Sequence, residues 1–100
     1  TTTGLNNTGL SIIGARAQVY SHGAADNGSV ILSGQGGFAS NGLVVSDGAL
    51  VSADYGSVLL TGTSGNGGSG SNYGVWLTGS GTQIKKAWNS LLTITGTSTN

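Results

Sequence analysis

One histidine and three aspartates are the only His, Asp or Glu side chains this chain carries. His22 stands beside Ser21 and close to Asp26, the residue types of a hydrolytic triad. All three belong to one polar stretch, with no second element evident to orient the imidazole, so the stretch reads as a corner. Asp26, Asp47 and Asp54 are the whole carboxylate supply. Glycoside hydrolysis needs two carboxyls at a set separation, and calcium prefers several carboxylate oxygens. Residues 34–39 match the loose GxGxxG fingerprint, but turn and strand follow them rather than a helix N-terminus for a pyrophosphate. Residues 65–70 match it inside a low-complexity run. Residues 67–75 are similar to a calcium-binding nonapeptide, with Asn72 in place of its Asp, Gly74 in place of its large apolar residue, and one copy only. No catalytic residue, cofactor or metal is expected.

The aromatic residues are the remaining candidates. Tyr20 and Trp76 are predicted to face out of strands, and Phe38, Tyr55, Tyr73 and Trp88 to lie on or near corners. Two roles stay open for Tyr20, Tyr73, Trp76 and Trp88. They cover corners and outer strand faces, or they are contact points for neighbouring chains or glycans, since Trp and Tyr are enriched in interfaces. Thr93, Thr95, Thr97 and Thr99 form a Thr-x-Thr run like that of ice-binding arrays. The equivalent positions in the other repeats are Ile31 with Ser33 and Leu59 with Thr61, so no such array builds up. Asn6-Asn7-Thr8 and Asn27-Gly28-Ser29 fit the glycosylation pattern, which arises by chance in a chain this rich in Asn, Ser and Thr.

The composition narrows the class of protein. Gly (20), Ser (14), Thr (12) and Asn (8) make up more than half of the 100 residues, and only six residues are charged, with net charge zero. That leaves no electrostatic footprint for nucleic acid. The absence of Cys excludes a disulfide scaffold and thiolate metal sites. Apolar runs of three or four residues are too short to span a membrane as a helix. A chain that begins at Thr1 and has no Met reads as an internal or processed segment of a longer protein. With 36% hydrophobic residues, many of them Val, Ile and Leu, the chain is expected to fold.

Internal repetition supplies the elements. Ser33-Gly34, Thr61-Gly62 and Thr95-Gly96 each close a short apolar strand, and Thr3-Gly4 has the same form. Three strands are predicted per repeat: 10–13, 17–20 and 30–33, then 43–46, 49–52 and 58–61, then 75–78, 82–85 and 92–95. Apolar columns run through them: Leu10, Leu43 and Val75; Ile12, Val45 and Leu77; Val19, Val51 and Ile84; Val30, Val58 and Leu92; Leu32, Leu60 and Ile94. In the column of Ala17, Ala49 and Thr82 the third member breaks the rule. Residues between the columns vary, and alternation with one constant apolar face marks a half-buried strand. The expected fold is all-β: a parallel β-helix (β-solenoid) of about three coils of roughly 32 residues, near 5–34, 35–62 and 63–96, in a single segment 1–100. Gly and Asn are expected at corners that need φ > 0, and the absence of Pro fits because ladder N–H groups are all in use.

The segments GSVILSG (28–34), GSVLLTG (56–62) and GVWLTGSGTQI (74–84) resemble the repeat region of filamentous-haemagglutinin-like exoproteins, large adhesins secreted by bacteria. The resemblance covers nearly the whole chain. It implies a right-handed β-helix, secretion and a fibre or surface role. The amino-terminal secretion domain of that family carries Asn-Pro motifs, and this chain has no Pro. The resemblance is therefore to the repetitive shaft and brings no catalytic or receptor-binding residue with it. Together these readings predict a structural segment of a secreted, extracellular or cell-surface fibre. Its partners would be copies of itself or flanking coils, with a glycan- or cell-binding adhesin module as the alternative.

Overall fold

Short segments that alternate apolar and small residues can bury one face only by pairing with their equivalents, and the chain pairs every one of them. In the structure, a computed structural model describing residues 7–22, 28–67, 72–86 and 90–98, nine strands follow in order. They are β1 (Leu10–Ile13), β2 (Gln18–Ser21), β3 (Val30–Gln35), β4 (Leu43–Ser46), β5 (Leu50–Ala53), β6 (Val58–Thr63), β7 (Val75–Thr78), β8 (Gln83–Lys85) and β9 (Leu92–Thr97). They form three parallel three-stranded sheets, ordered β1-β4-β7, β2-β5-β8 and β3-β6-β9. There is no helix among the described residues. The arrangement is consistent with a β-solenoid-like stack.

The register follows the apolar columns. Leu10 meets Leu43 and then Val75, Val19 meets Val51 and then Ile84, and Leu32 meets Leu60 and then Ile94. Apart from Ile94, these residues pack together in the core, with Leu43, Val45, Val51, Val58 and Leu60 of the middle repeat fully buried. The ladder continues past the strand ends: Gly14 N–H donates to Ser46 O at 3.0 Å and Asp47 N–H to Thr78 O at 3.3 Å. Gly14, Asp47 and Gly79 all have positive φ at this turn, so one column of the first corner is left-handed in every repeat.

Four details differ from expectation. The strands of the second sheet begin one residue later than predicted, and those of the third run two residues further, to Gln35, Thr63 and Thr97. Gly34, Gly62 and Gly96 therefore lie inside the ladder instead of closing it. Their φ is not positive; Gly34 and Gly62 are small because backbone presses on backbone, while Gly96 at the edge is less tightly approached. A Cβ at Gly62 would overlap the carbonyl of Gly74, and one at Gly34 the carbonyl of Gly42. Secondly, β4 and most of β5 are covered on both faces. Val44, Ser46 and Ser52 point away from the core yet are buried. Each is flanked on its ladder by larger side chains: Val44 by Trp76, Ser46 by Ile13, and Ser52 by Tyr20 and Lys85. Thirdly, Leu77 and Ile94 occupy inward columns of the third repeat, one edge of the sheets, but are exposed, whereas Ile12 and Val30 at the opposite edge stay buried. Finally, Thr82 replaces an apolar residue because its hydroxyl does corner work, donating to Thr78 O at 2.7 Å and accepting from Gly48 N–H at 2.9 Å.

The terminal stretches 1–4 and 99–100, most of the corner at 21–28, and part of the Gly-rich corner at 63–73 lie outside the described residues. Across the described residues, no buried side-chain nitrogen or oxygen lacks a partner.

The core and the glycine approach make one test. Leu60→Ala should lower stability by about 2–5 kcal/mol, and Gly62→Ala should be at least as damaging because the clash is with backbone. Gln83→Ser on the outer face should change it by less than about 0.5 kcal/mol. Denaturant titration reads all three, and equal midpoint shifts for Leu60 and Gln83 would contradict the assigned face.

Candidate functional site

The surface gathers two small clusters. In the first, strand alternation turns Tyr20 and His22 to the outside of the second sheet, while Ser21 faces the other way. Ser21 pairs with Ala53, and Asp54 N–H donates to Ser21 O at 3.0 Å, so the ladder carries Asp54 into register with His22. The Tyr20 hydroxyl then donates to Asp54 Oδ1 at 2.9 Å. His22 Nδ1 lies 2.7 Å from Asp54 Oδ2, and the Tyr20 and His22 rings are 5.6 Å apart. The His22 side chain is 81% exposed and that of Asp54 28%.

The neighbours of His22 in space are not its neighbours along the chain. Its carboxylate partner is Asp54 of the next repeat, while Ser21 lies on the opposite strand face, so Ser21 and His22 do not form a nucleophile–base pair. Asp26 lies outside the described residues. The arrangement can orient an imidazole. Among the described residues no three of His, Cys, Asp or Glu gather as a metal site.

The second cluster is the ring pair Tyr73 and Trp76, centroids 5.4 Å apart and tilted by 36°. Trp76 projects outward from β7 in the ladder row of Ser11 and Val44. Tyr73 is fixed just before that strand, its N–H donating to Asn41 Oδ1 at 2.7 Å and its carbonyl accepting from Gly42 N–H. Both side chains stay substantially exposed, at 44% and 43%. The two other aromatics expected at corners are exposed there as well: Tyr55, and Phe38, whose ring lies against the backbone of Gly67. Trp88 lies outside the described residues. The structure thus joins Tyr73 to Trp76 and sets Tyr20 apart on a different sheet.

Asn72, the position compared with a calcium ligand, is buried and serves its own corner. Its Nδ2 donates to Gly67 O at 2.8 Å and to Gly65 O at 3.4 Å. Sequence reasoning missed Asp54 as a partner of His22 and Asn41 as the support of Tyr73. Both signals were present, because each partner sits one repeat away in the register that the columns define.

Comparison with family models, with curated proteins and with solved structures finds no match to the chain.

The Tyr20 cluster has a testable pH signature. The Tyr20 phenol is held above its ordinary value, chiefly by the hydrogen bond it donates to Asp54, then by desolvation and by the carboxylate charge. A raised phenol favours the neutral form in the folded protein. Its contribution is complete below the ordinary value and is lost as pH rises through the raised one. Asp54→Asn should bring the Tyr20 phenolate titration down toward the ordinary value, read as the absorbance component that Tyr20→Phe removes. An unmoved midpoint would show that the carboxylate is not the cause.

Proposed function

We infer that the chain is a stretch of right-handed parallel β-solenoid, about three coils long. It serves as a structural segment of a secreted bacterial fibre, extracellular or on the cell surface, and stacks end to end through its coils. The supporting observation is the burial gradient along single columns. Val45 and Leu60 of the middle repeat are 0% exposed, while Leu77 and Ile94, in the same columns of the third repeat, are 39% and 41% exposed. One more layer in register would cover those side chains and use the free edges of β7, β8 and β9. Copies of the chain, or further coils of a longer parent, carry the matching columns. The right hand, secretion and the bacterial surface come from the resemblance to filamentous-haemagglutinin-like shafts. No catalytic step is assigned to any residue.

A second reading rests on the Tyr73–Trp76 pair, whose exposed ring faces suit the apolar face of a pyranose. On it the segment is a glycan-binding adhesin module.

Electron microscopy and fibre diffraction separate the two. Stacking predicts thin unbranched filaments with a repeat of about 4.8 Å along their axis. It also predicts that Ile94→Lys stops filament growth, because the charge falls in the column the next layer must cover. Filaments unaffected by Ile94→Lys, or a stable monomer with protected terminal strands, would overturn stacking. The adhesin reading predicts saturable glycan binding, lost in Trp76→Ala, whether or not filaments form.

A further inference from the structure

The third sheet carries the threonine pattern beyond one repeat. Because β6 and β9 run on to Thr63 and Thr97, each has an outward Thr-x-Thr pair, Thr61 with Thr63 and Thr95 with Thr97, and the two pairs are in register. Ser33 of β3 completes the row of Thr61 and Thr95. Thr93 stands one step earlier on β9, in the row of Ile31 and Leu59. Six of the nine outward positions on these strands are thus hydroxyl side chains. Ser33, Thr95 and Thr97 are exposed, and Thr61, Thr63 and Thr93 half-buried. Hydroxyls at the corners are used by the fold: Thr82 Oγ1 bonds Thr78 O and Gly48 N–H, and Ser29 Oγ and Ser57 Oγ accept backbone N–H groups. The hydroxyls of the sheet face enter no such bond among the described residues.

We propose that this face binds ice. The ladder sets its hydroxyls about 4.8 Å apart from strand to strand and about 6.6 Å apart along each strand. Water oxygens on the prism face of ice repeat in two perpendicular directions with closely similar spacings. A hydroxyl both donates and accepts, as a lattice water does, and the threonine methyl beside it fills the hollow between lattice sites. Lattice matching also needs positions that hold still. Branching at Cβ restricts χ1 of threonine, and β6 is paired on both sides. Gly62, between Thr61 and Thr63, packs on the Gly74 carbonyl without room for a side chain. Periodicity selects the occupant. A protein or a single glycan chain offers no two-dimensional repeat of these spacings. A crystalline polysaccharide offers a repeat, but its sugar faces stack on aromatic rings, and the aromatic pair of this protein lies on the first sheet. One copy carries the whole array, so ice binding does not depend on the stacking of coils.

Thermal hysteresis of the full chain, read on seeded ice crystals, tests this together with the pattern left by fluorescently labelled chain on a single-crystal ice hemisphere. The natural chain should stop crystal growth just below the melting point and coat the prism faces. The double variant Thr95→Tyr, Thr97→Tyr should abolish both effects while circular dichroism shows the fold unchanged. The double variant Ile31→Thr, Leu59→Thr gives two repeats the residue the third already carries at that register. It lengthens the array and should widen the hysteresis gap. Trp76→Ala, on the first sheet, should change neither effect, which separates this site from the glycan reading. A natural chain that leaves ice growth unaltered or coats only the basal plane would overturn the proposal. So would activity kept in the Tyr variant, a gap that narrows as the array lengthens, or retention on crystalline cellulose without retention on ice.

Discussion

Two glycine columns set the cross-section of the molecule. Gly34, Gly62 and Gly96 lie within the strands of the third sheet, and Gly9, Gly42 and Gly74 just precede those of the first. At every member but Gly96 no space remains for a side chain: a Cβ at Gly42 would overlap the backbone of Thr63, and one at Gly74 that of Thr97. The first and third sheets are thereby pinched together at one edge, and β4 touches β6 while β7 touches β6 and β9. Larger residues at these positions would wedge the sheets apart and open the core around Leu43 and Leu60. The requirement is steric, so the cost of substitution is not the strain of an unusual φ but the loss of packing in every layer above and below.

This is also where sequence reasoning went right for an incomplete reason. The glycines were legible as landmarks, and counting from them gave the register residue by residue, because a one-residue slip would have turned every apolar column outward. A single sequence does not tell a glycine that bends the chain from one that lets two chains touch. Gly14 and Gly79 bend it, with φ of 119° and 97°; Gly62 lets it touch. The same ambiguity moved the strand ends. Ser33-Gly34 reads as a stop, but a glycine whose backbone stays extended remains in the ladder, and β3 runs on to Gln35. Thr82 shows the converse: a polar residue in an apolar column whose purpose appears only once its hydroxyl meets Gly48 and Thr78.

The surface clusters were less legible because their partners are distant in sequence and adjacent only through the ladder. His22 lies near Asp26 along the chain and beside Asp54 across it. Tyr73 depends on Asn41 by the same logic. In stacked parallel strands the residue next door is the one a repeat away, so a search for catalytic neighbours along the chain looks in the wrong direction. Applied to the columns, that rule would have paired His22 with Asp54, and it separates Ser21 from His22 because adjacent strand residues face opposite ways.

Burial by layer has a further consequence for stability. Each repeat makes almost all its contacts with the repeats beside it, so stability accumulates as nearest-neighbour interfaces rather than from one enclosed core. The middle repeat, with neighbours on both sides, buries even outward residues such as Ser46 and Ser52; the third leaves the inward Ile94 open. On the stacking reading, each added layer turns an edge like the third into a layer like the second and leaves one edge behind, so the exposed cost stays fixed while the buried gain grows. A chain with so few charges has little electrostatic repulsion to limit that growth. On that reading an apolar column ending in solvent, a cost to an isolated piece, is what each added layer removes.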